Sequence, residues 1–195
     1  MLSKDINFEN FKIKKTKKNL KLLYKKLIKK KNIKDNLINS FTNSYSYSFK
    51  KNQLKKYKKF NSYLIYGMGG SSLGIRAIYE FFKKDIKKKF YFFDNLQTQT
   101  NTIIDKKKNL NIVISKSGDT LETIVNENIF SGDNKLFIVE KKNNYLRNLA
   151  LKLKSEIIEH KNFIGGRYSI LSEVGMLPTE LMGLNSDKFK KFDNL

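Results

Sequence analysis

Between Tyr63 and His160 the chain alternates short, nearly unbroken apolar runs with longer stretches of helical spacing. The runs are YLIYG (63–67), KFYFFD (89–94), LNIVIS (110–115), KLFIV (135–139) and SEIIEH (155–160). Apolar runs without polar alternation are the mark of strands covered on both faces. The segments between them, SLGIRAIYEFFKK, LQTQTNTIIDKKK, DTLETIVNENIF and NYLRNLALKLK, mostly repeat apolar residues at helical intervals. Their length suits crossovers and not hairpins. The pattern predicts an α/β fold, a five-stranded parallel sheet with helices on both faces. Pro178 and most glycines fall after the strands or near the C-terminus, where they interrupt none of them.

Upstream, KKTKKNLKLLYKKLIKKK (Lys14–Lys31) sets Leu20, Leu23, Tyr24, Leu27 and Ile28 at i, i+3, i+4, i+7 and i+8. That is one stripe of an amphipathic helix with a lysine-covered back, and it is expected to lie on the following domain. A membrane-surface helix would carry bulkier anchors, and this one has no Trp. SFTNSYSYSFK (40–50) reads as a loop and residues 51–60 as a basic linker with helix potential. The expected organisation is a Lys-rich helical lead-in (1–60), an α/β domain (61–164) and a terminal loop-and-connection segment (165–195).

Composition then narrows the chemistry. The 195 residues contain no Cys and one His, His160, which excludes a disulfide scaffold, a thiolate zinc site, a cysteine nucleophile and a multi-histidine metal centre. Lys and Arg number 40 against 18 acids, a net +22, yet residues 1–60 alone hold 19 Lys and 3 acids, a net +16. Only Arg76, Arg147 and Arg167 are arginines, whereas proteins that read nucleic acid lean on the planar arginine fork. The lysine excess therefore reads as solvated surface, with no specific nucleic-acid partner. No apolar run is long enough to span a bilayer and the N-terminus lacks a signal-peptide core, so a soluble, cytoplasmic chain with no membrane partner is expected.

Three strand-to-helix loops carry unusual residues. In open parallel sheets ligands bind beyond the carboxyl ends of strands, at helix N-termini. Gly67-Met68-Gly69-Gly70-Ser71-Ser72-Leu73-Gly74 follows the first strand. A dinucleotide fingerprint would need glycine at position 72, although Asp94 at the end of the second strand suits that reading. A nucleotide P-loop would need Lys-Ser/Thr where Ile75-Arg76 stands. A phosphate site made of glycine N–H groups and serine hydroxyls needs neither, and a ligand-free turn is the plain alternative. After the third strand comes Ser115-Lys116-Ser117-Gly118-Asp119-Thr120. Capping the next helix would use one of these residues, Ser117 or Asp119; three hydroxyls and an ammonium make an oxyanion cradle. Gly165-Gly166-Arg167-Tyr168-Ser169 follows the fifth strand and can aim a fixed charge into the same cleft. Together the loops point to one phosphorylated small molecule.

These residues resemble the glucose-6-phosphate isomerase family, in particular the first of its two sugar-isomerase (SIS) domains. The matching stretches are GMGGSSLG (67–74), ISKSGDTLET (114–123) and GGRYSILSEVGMLPTELMG (165–183), and the resemblance covers roughly residues 60–195. It implies a flavodoxin-like SIS fold and an aldose–ketose isomerase of glycolysis and gluconeogenesis. Glucose 6-phosphate and fructose 6-phosphate would be its substrates, with no metal or organic cofactor and a homodimer at full length. The phosphate would be held by Ser115, Lys116, Ser117 and Thr120, with Gly70, Ser71 and Gly166 lining the substrate and Arg167 stabilising an enediolate-like intermediate. The family's base glutamate, ring-opening histidine and lysine lie downstream of the GGR run, while this sequence continues 28 residues past Arg167. His160, Glu173 and Glu180 match none of them, and His160 is expected to be structural. The chain therefore looks like the phosphate-binding half of an isomerase; the alternative is a non-catalytic SIS module that senses a sugar phosphate. Asp119 departs from the family's usual Thr and would repel phosphate if it turned inward.

Overall fold

The computed structural model describes residues 20–31, 37–96, 108–130 and 132–190. All five expected strands form: β1 (Ser62–Tyr66), β2 (Lys89–Phe93), β3 (Asn109–Ser115), β4 (Lys135–Val139) and β5 (Glu156–Glu159). They make one parallel sheet in the order β2-β1-β3-β4-β5. The chain winds outward in both directions from the β1/β3 pair, so the switch point of the doubly wound sheet lies between these two strands.

Because the strands are covered on both faces, successive residues alternate between two cores. Tyr63 and Ile65 join Leu110, Ile112, Ile114, Leu136 and Ile138 on one face. Leu64 and Tyr66 join Val113, Phe137 and Val139 on the other. The aromatic pairs Tyr63–Phe90 and Tyr66–Phe93 stack at 4.7 and 4.8 Å directly across β1 and β2, where the register places them opposite each other. Cross-strand pairs of this kind fix register as well as adding burial.

The N-terminal helix α1 covers Leu20–Lys31; the expected stretch 14–19 lies outside the described residues. The part of its stripe whose burial is described is not covered. Leu20, Leu23 and Tyr24 are exposed. Helices α2 (Leu73–Phe81), α3 (Leu121–Phe130) and α4 (Tyr145–Lys152) occupy the expected crossovers. Most of the segment expected to be helical between β2 and β3 lies outside the described residues. The stretch after β5 is more structured than the pattern suggested: residues 166–171 form a 3-10 turn and α5 (Glu173–Leu181) follows, every residue of it buried. Val174, Met176, Leu177 and Leu181 pack with the β1/β3 face, as do Phe49, Leu54 and Phe60 from the lead-in.

Candidate active site

The loop after β3 is organised by its hydroxyls. The Ser115 and Thr120 hydroxyls lie 2.9 Å apart, and Ser117 is 3.5 Å from each of them. Ser115 Oγ also accepts the Gly118 N–H at 3.1 Å, and Ser117 Oγ accepts that of Asp119 at 3.3 Å. The two candidate caps of α3 are thus used elsewhere. Asp119 turns away from the cluster and accepts the Tyr145 N–H at 2.9 Å, at the start of α4. The positive end of a helix is a favourable place for a carboxylate, and Asp119 does not face the hydroxyls.

Gly118, at φ +74°, occupies the left-handed region that side chains rarely adopt, and a Cβ there would overlap the Asn144 amide. Its carbonyl accepts the Leu146 N–H at 2.9 Å. Asn144 caps α4 by accepting the Arg147 N–H. The loop is therefore clamped to the neighbouring crossover, which holds the three hydroxyls on one side.

Lys116 is placed differently from the sequence expectation. Its ammonium donates to the Asn162 carbonyl at 2.7 Å and pairs with Glu140 at 3.4 Å. It bridges the β3 loop to the loop ahead of Gly165 and takes no part in the hydroxyl cluster. Glu140 is nearly buried and also pairs with Lys142 at 3.1 Å. Neither Glu140 nor Asn162 stands out in the sequence, since each is one polar residue beyond a strand run.

The loop after β1 meets the GGR turn backbone to backbone. A Cβ on Gly70 would overlap the Gly166 carbonyl and lie 2.7 Å from the Arg167 nitrogen. Ser169 Oγ donates to the carbonyls of Gly166, at 2.7 Å, and Gly70, at 3.3 Å. Ser71 is buried beside this junction, and Ser72, although it precedes α2, directs its hydroxyl to the Gly69 carbonyl without capping the helix. Arg167 is exposed and has no ion pair among the described residues, so its charge is uncommitted. Of the expected site residues, Gly70, Ser71, Gly166 and Arg167 come together at the carboxyl end of β1, and Ser115, Ser117 and Thr120 come together at the end of β3. These two groups sit on adjacent strands at the switch point. Asp94, the acid compatible with a dinucleotide site, is paired with Arg76 at 2.8 Å.

A cleft of about 650 Å³ opens at the ends of β4 and β5, lined by Glu140, Lys142, His160, Lys161 and Phe163 among others. Its lining omits the three hydroxyls. His160 is buried, with Nδ1 3.2 Å from the Lys161 carbonyl. Burial lowers its pKa below the usual imidazole value, which keeps the ring neutral.

Residues 25–194 match the family model for phosphoglucose isomerase. The chain belongs to the phosphoglucose isomerase family. It is 35% identical over 150 residues to the glucose-6-phosphate isomerase of Methanocaldococcus jannaschii, a match covering 69% of this chain and 37% of that protein. With the Clostridium tetani glucose-6-phosphate isomerase it shares 32% identity over 180 residues, 74% of this chain and 40% of the relative. The chain thus spans well under half the length of the relatives it matches. A solved glucose-6-phosphate isomerase from Chlamydia trachomatis superimposes with a TM-score of 0.60 at 24% identity, covering 73% of this chain and 31% of that one. The family's sugar-isomerase fold accounts for the five-stranded parallel order. No helix among the described residues is long and apolar enough to cross a membrane.

Proposed function

We propose that this chain is the sugar-phosphate-binding half of a glucose-6-phosphate isomerase, a cytoplasmic homodimeric enzyme that interconverts glucose 6-phosphate and fructose 6-phosphate. One observation carries the reading. The hydroxyl cluster Ser115/Ser117/Thr120 ends the strand adjacent to β1, and the loop after β1 is in backbone contact with the turn that presents uncommitted Arg167.

In such a reaction a proton moves between C2 and C1, and negative charge collects on the C1 and C2 oxygens of the intermediate. The hydroxyls anchor the phosphate end of the substrate, with Gly70, Ser71 and Gly166 beside it. Arg167 supplies fixed positive charge to the developing oxyanion, an interaction stronger in the intermediate than in the ground state. The proton-transferring groups belong to the part of the family that lies downstream of the GGR run. The first two acids downstream of that run, Glu173 and Glu180, are committed. Glu173 accepts from Tyr45 and Ser48, and Glu180 pairs with Lys51 at 3.0 Å while accepting the Ser186 N–H. The same observation supports a second reading, a non-catalytic SIS module that binds a sugar phosphate.

Calorimetric titration with fructose 6-phosphate, with inorganic phosphate as the control, tests the binding reading. Saturable binding tighter than that of phosphate, and lost in Ser115→Ala/Thr120→Ala, is the expected result; equal binding in wild type and variant overturns it. Turnover separates the two readings: in the full-length protein, Arg167→Ala should lower kcat much more than it raises KM.

A further inference from the structure

The two flanks of the arginine turn are held by a single short segment of the lead-in, SYSYSF (44–49). On the N-terminal flank, the Lys161 ammonium donates to the Ser46 carbonyl at 2.6 Å and lies 4.4 Å from the centre of the Tyr45 ring. On the C-terminal flank, Glu173, the first residue of α5, accepts the Tyr45 hydroxyl on both carboxylate oxygens, at 3.0 and 2.9 Å, and the Ser48 N–H at 2.9 Å. Tyr45 touches both flanks. It is buried, as are Glu173 and Lys190, whose ammonium lies 4.2 Å from the Tyr45 ring and 4.0 Å from the Tyr47 ring. Tyr47 stacks on Phe49 at 4.9 Å, and Phe49 belongs to the main core.

We propose that this strap is a positioning element for Arg167, with Tyr45 as its central residue, an inference that rests on the sugar-phosphate reading above. Glu173 has no ion pair among the described residues; its buried carboxylate accepts from the neutral donors Tyr45 and Ser48, and the Lys190 ammonium acts on it only at longer range. Such an arrangement costs stability unless every donor is in place, and when satisfied it fixes geometry more tightly than apolar packing does. The Gly70 contact sets one side of the turn, and the strap fastens the chain before Gly165 and after Leu171. The Arg167 side chain makes no hydrogen bond or ion pair among the described residues. Its placement relative to the hydroxyl cluster is inherited from the turn, and a displacement of about 1 Å is enough to lose most of an oriented interaction. Tyr45, Ser46 and Ser48 are distant from Arg167 in sequence and lie outside the hydroxyl cluster.

The test uses three probes on the 195-residue chain: inorganic phosphate, fructose 6-phosphate and arabinonate 5-phosphate, whose carboxylate presents delocalised charge like that of an enediolate. Wild type should prefer arabinonate 5-phosphate over fructose 6-phosphate by about tenfold, and Arg167→Ala should erase the preference. Tyr45→Phe should cut it to about threefold or less while phosphate affinity stays within about twofold. Lys161→Met unfastens the other flank without leaving a buried charge, and should act in the same way if Tyr45→Phe does not fold. A merely structural strap would lower the melting temperature and leave the preference untouched. A preference lost in Arg167→Ala but intact in both strap variants overturns this inference alone. A wild-type chain that binds phosphate but neither sugar phosphate overturns the sugar-phosphate reading, and this inference with it.

Discussion

Gly70 and Arg167 meet through their backbones, so closely that a Cβ on Gly70 would come within 2.7 Å of the Arg167 nitrogen and overlap the carbonyl before it. The obstacle is main chain on both sides and no rotamer can relieve it. The glycine-rich loop after β1 and the arginine turn after β5 therefore act as one unit, although 97 residues separate the two positions.

Gly70→Ala should consequently damage stability and binding together. The methyl group has to push residues 165–171 outward, at a cost of about 1–3 kcal/mol. Urea unfolding should show the lower midpoint, and titration should show a weaker preference for arabinonate 5-phosphate. An alanine variant with wild-type stability would mean that the two loops are further apart than this contact allows.

Asp119 gives the opposite expectation. Its carboxylate serves the first N–H of α4, so Asp119→Ala should cost about 1 kcal/mol of stability, as the loss of a helix-terminal acceptor does. Phosphate affinity should change by less than about twofold, since an exposed charge turned away from the ligand is screened. A tenfold gain in affinity would place the carboxylate against the phosphate and contradict the Tyr145 contact.

These loops also show where the sequence was legible. The five strands could be read because a strand covered on both faces has few alternatives to an unbroken apolar run, and three crossover helices followed from their spacing. Helix α5 was harder, because Gly175 and Pro178 are poor helix formers and hide the Val174, Leu177, Leu181 stripe that buries it. The three hydroxyls could be found because they lie within six consecutive residues of one loop. Lys116 was placed among them by its charge, its position in the loop and the family resemblance. Its actual partners, Glu140 and Asn162, come from the ends of β4 and β5, and only the strand order brings them near. Tyr45 and Glu173 were invisible for the same reason, being 128 positions apart.

Glu140 now becomes a testable control on the phosphate site. It neutralises Lys116 from a nearly buried position, so the ammonium contributes less to an anion at the hydroxyls than a free lysine would. Glu140→Gln should strengthen inorganic phosphate binding by about three- to tenfold and steepen its dependence on salt. Weaker binding in the variant would show that Glu140 instead orients Lys116 toward the ligand.

Stability depends on pH in a direction set by buried titratable groups of the strap and of the core around it. Burial lowers the Lys190 pKa to about 8, although Glu173 and Asp187 oppose the shift and Lys161 and Lys51 add to it. Between that value and the ordinary lysine range the unfolded chain holds a proton that the folded chain has released, so stability rises with pH across this window. Tyr45, Tyr47, Tyr57, Tyr63 and Tyr66 are all shifted upward, chiefly by burial, Tyr63 to about 12. Above the ordinary tyrosine range near 10 the unfolded chain loses those protons first, and stability falls again. His160, shifted downward by burial, adds a loss on the acid side: the unfolded chain takes up a proton below about 6.5 that the folded chain accepts only at lower pH. The melting temperature should therefore climb from pH 6 to a maximum near pH 10 and then drop. Lys190→Met should flatten the rise between pH 8 and 10. A profile unchanged by that substitution would place the Lys190 ammonium in water and not between the two tyrosine rings.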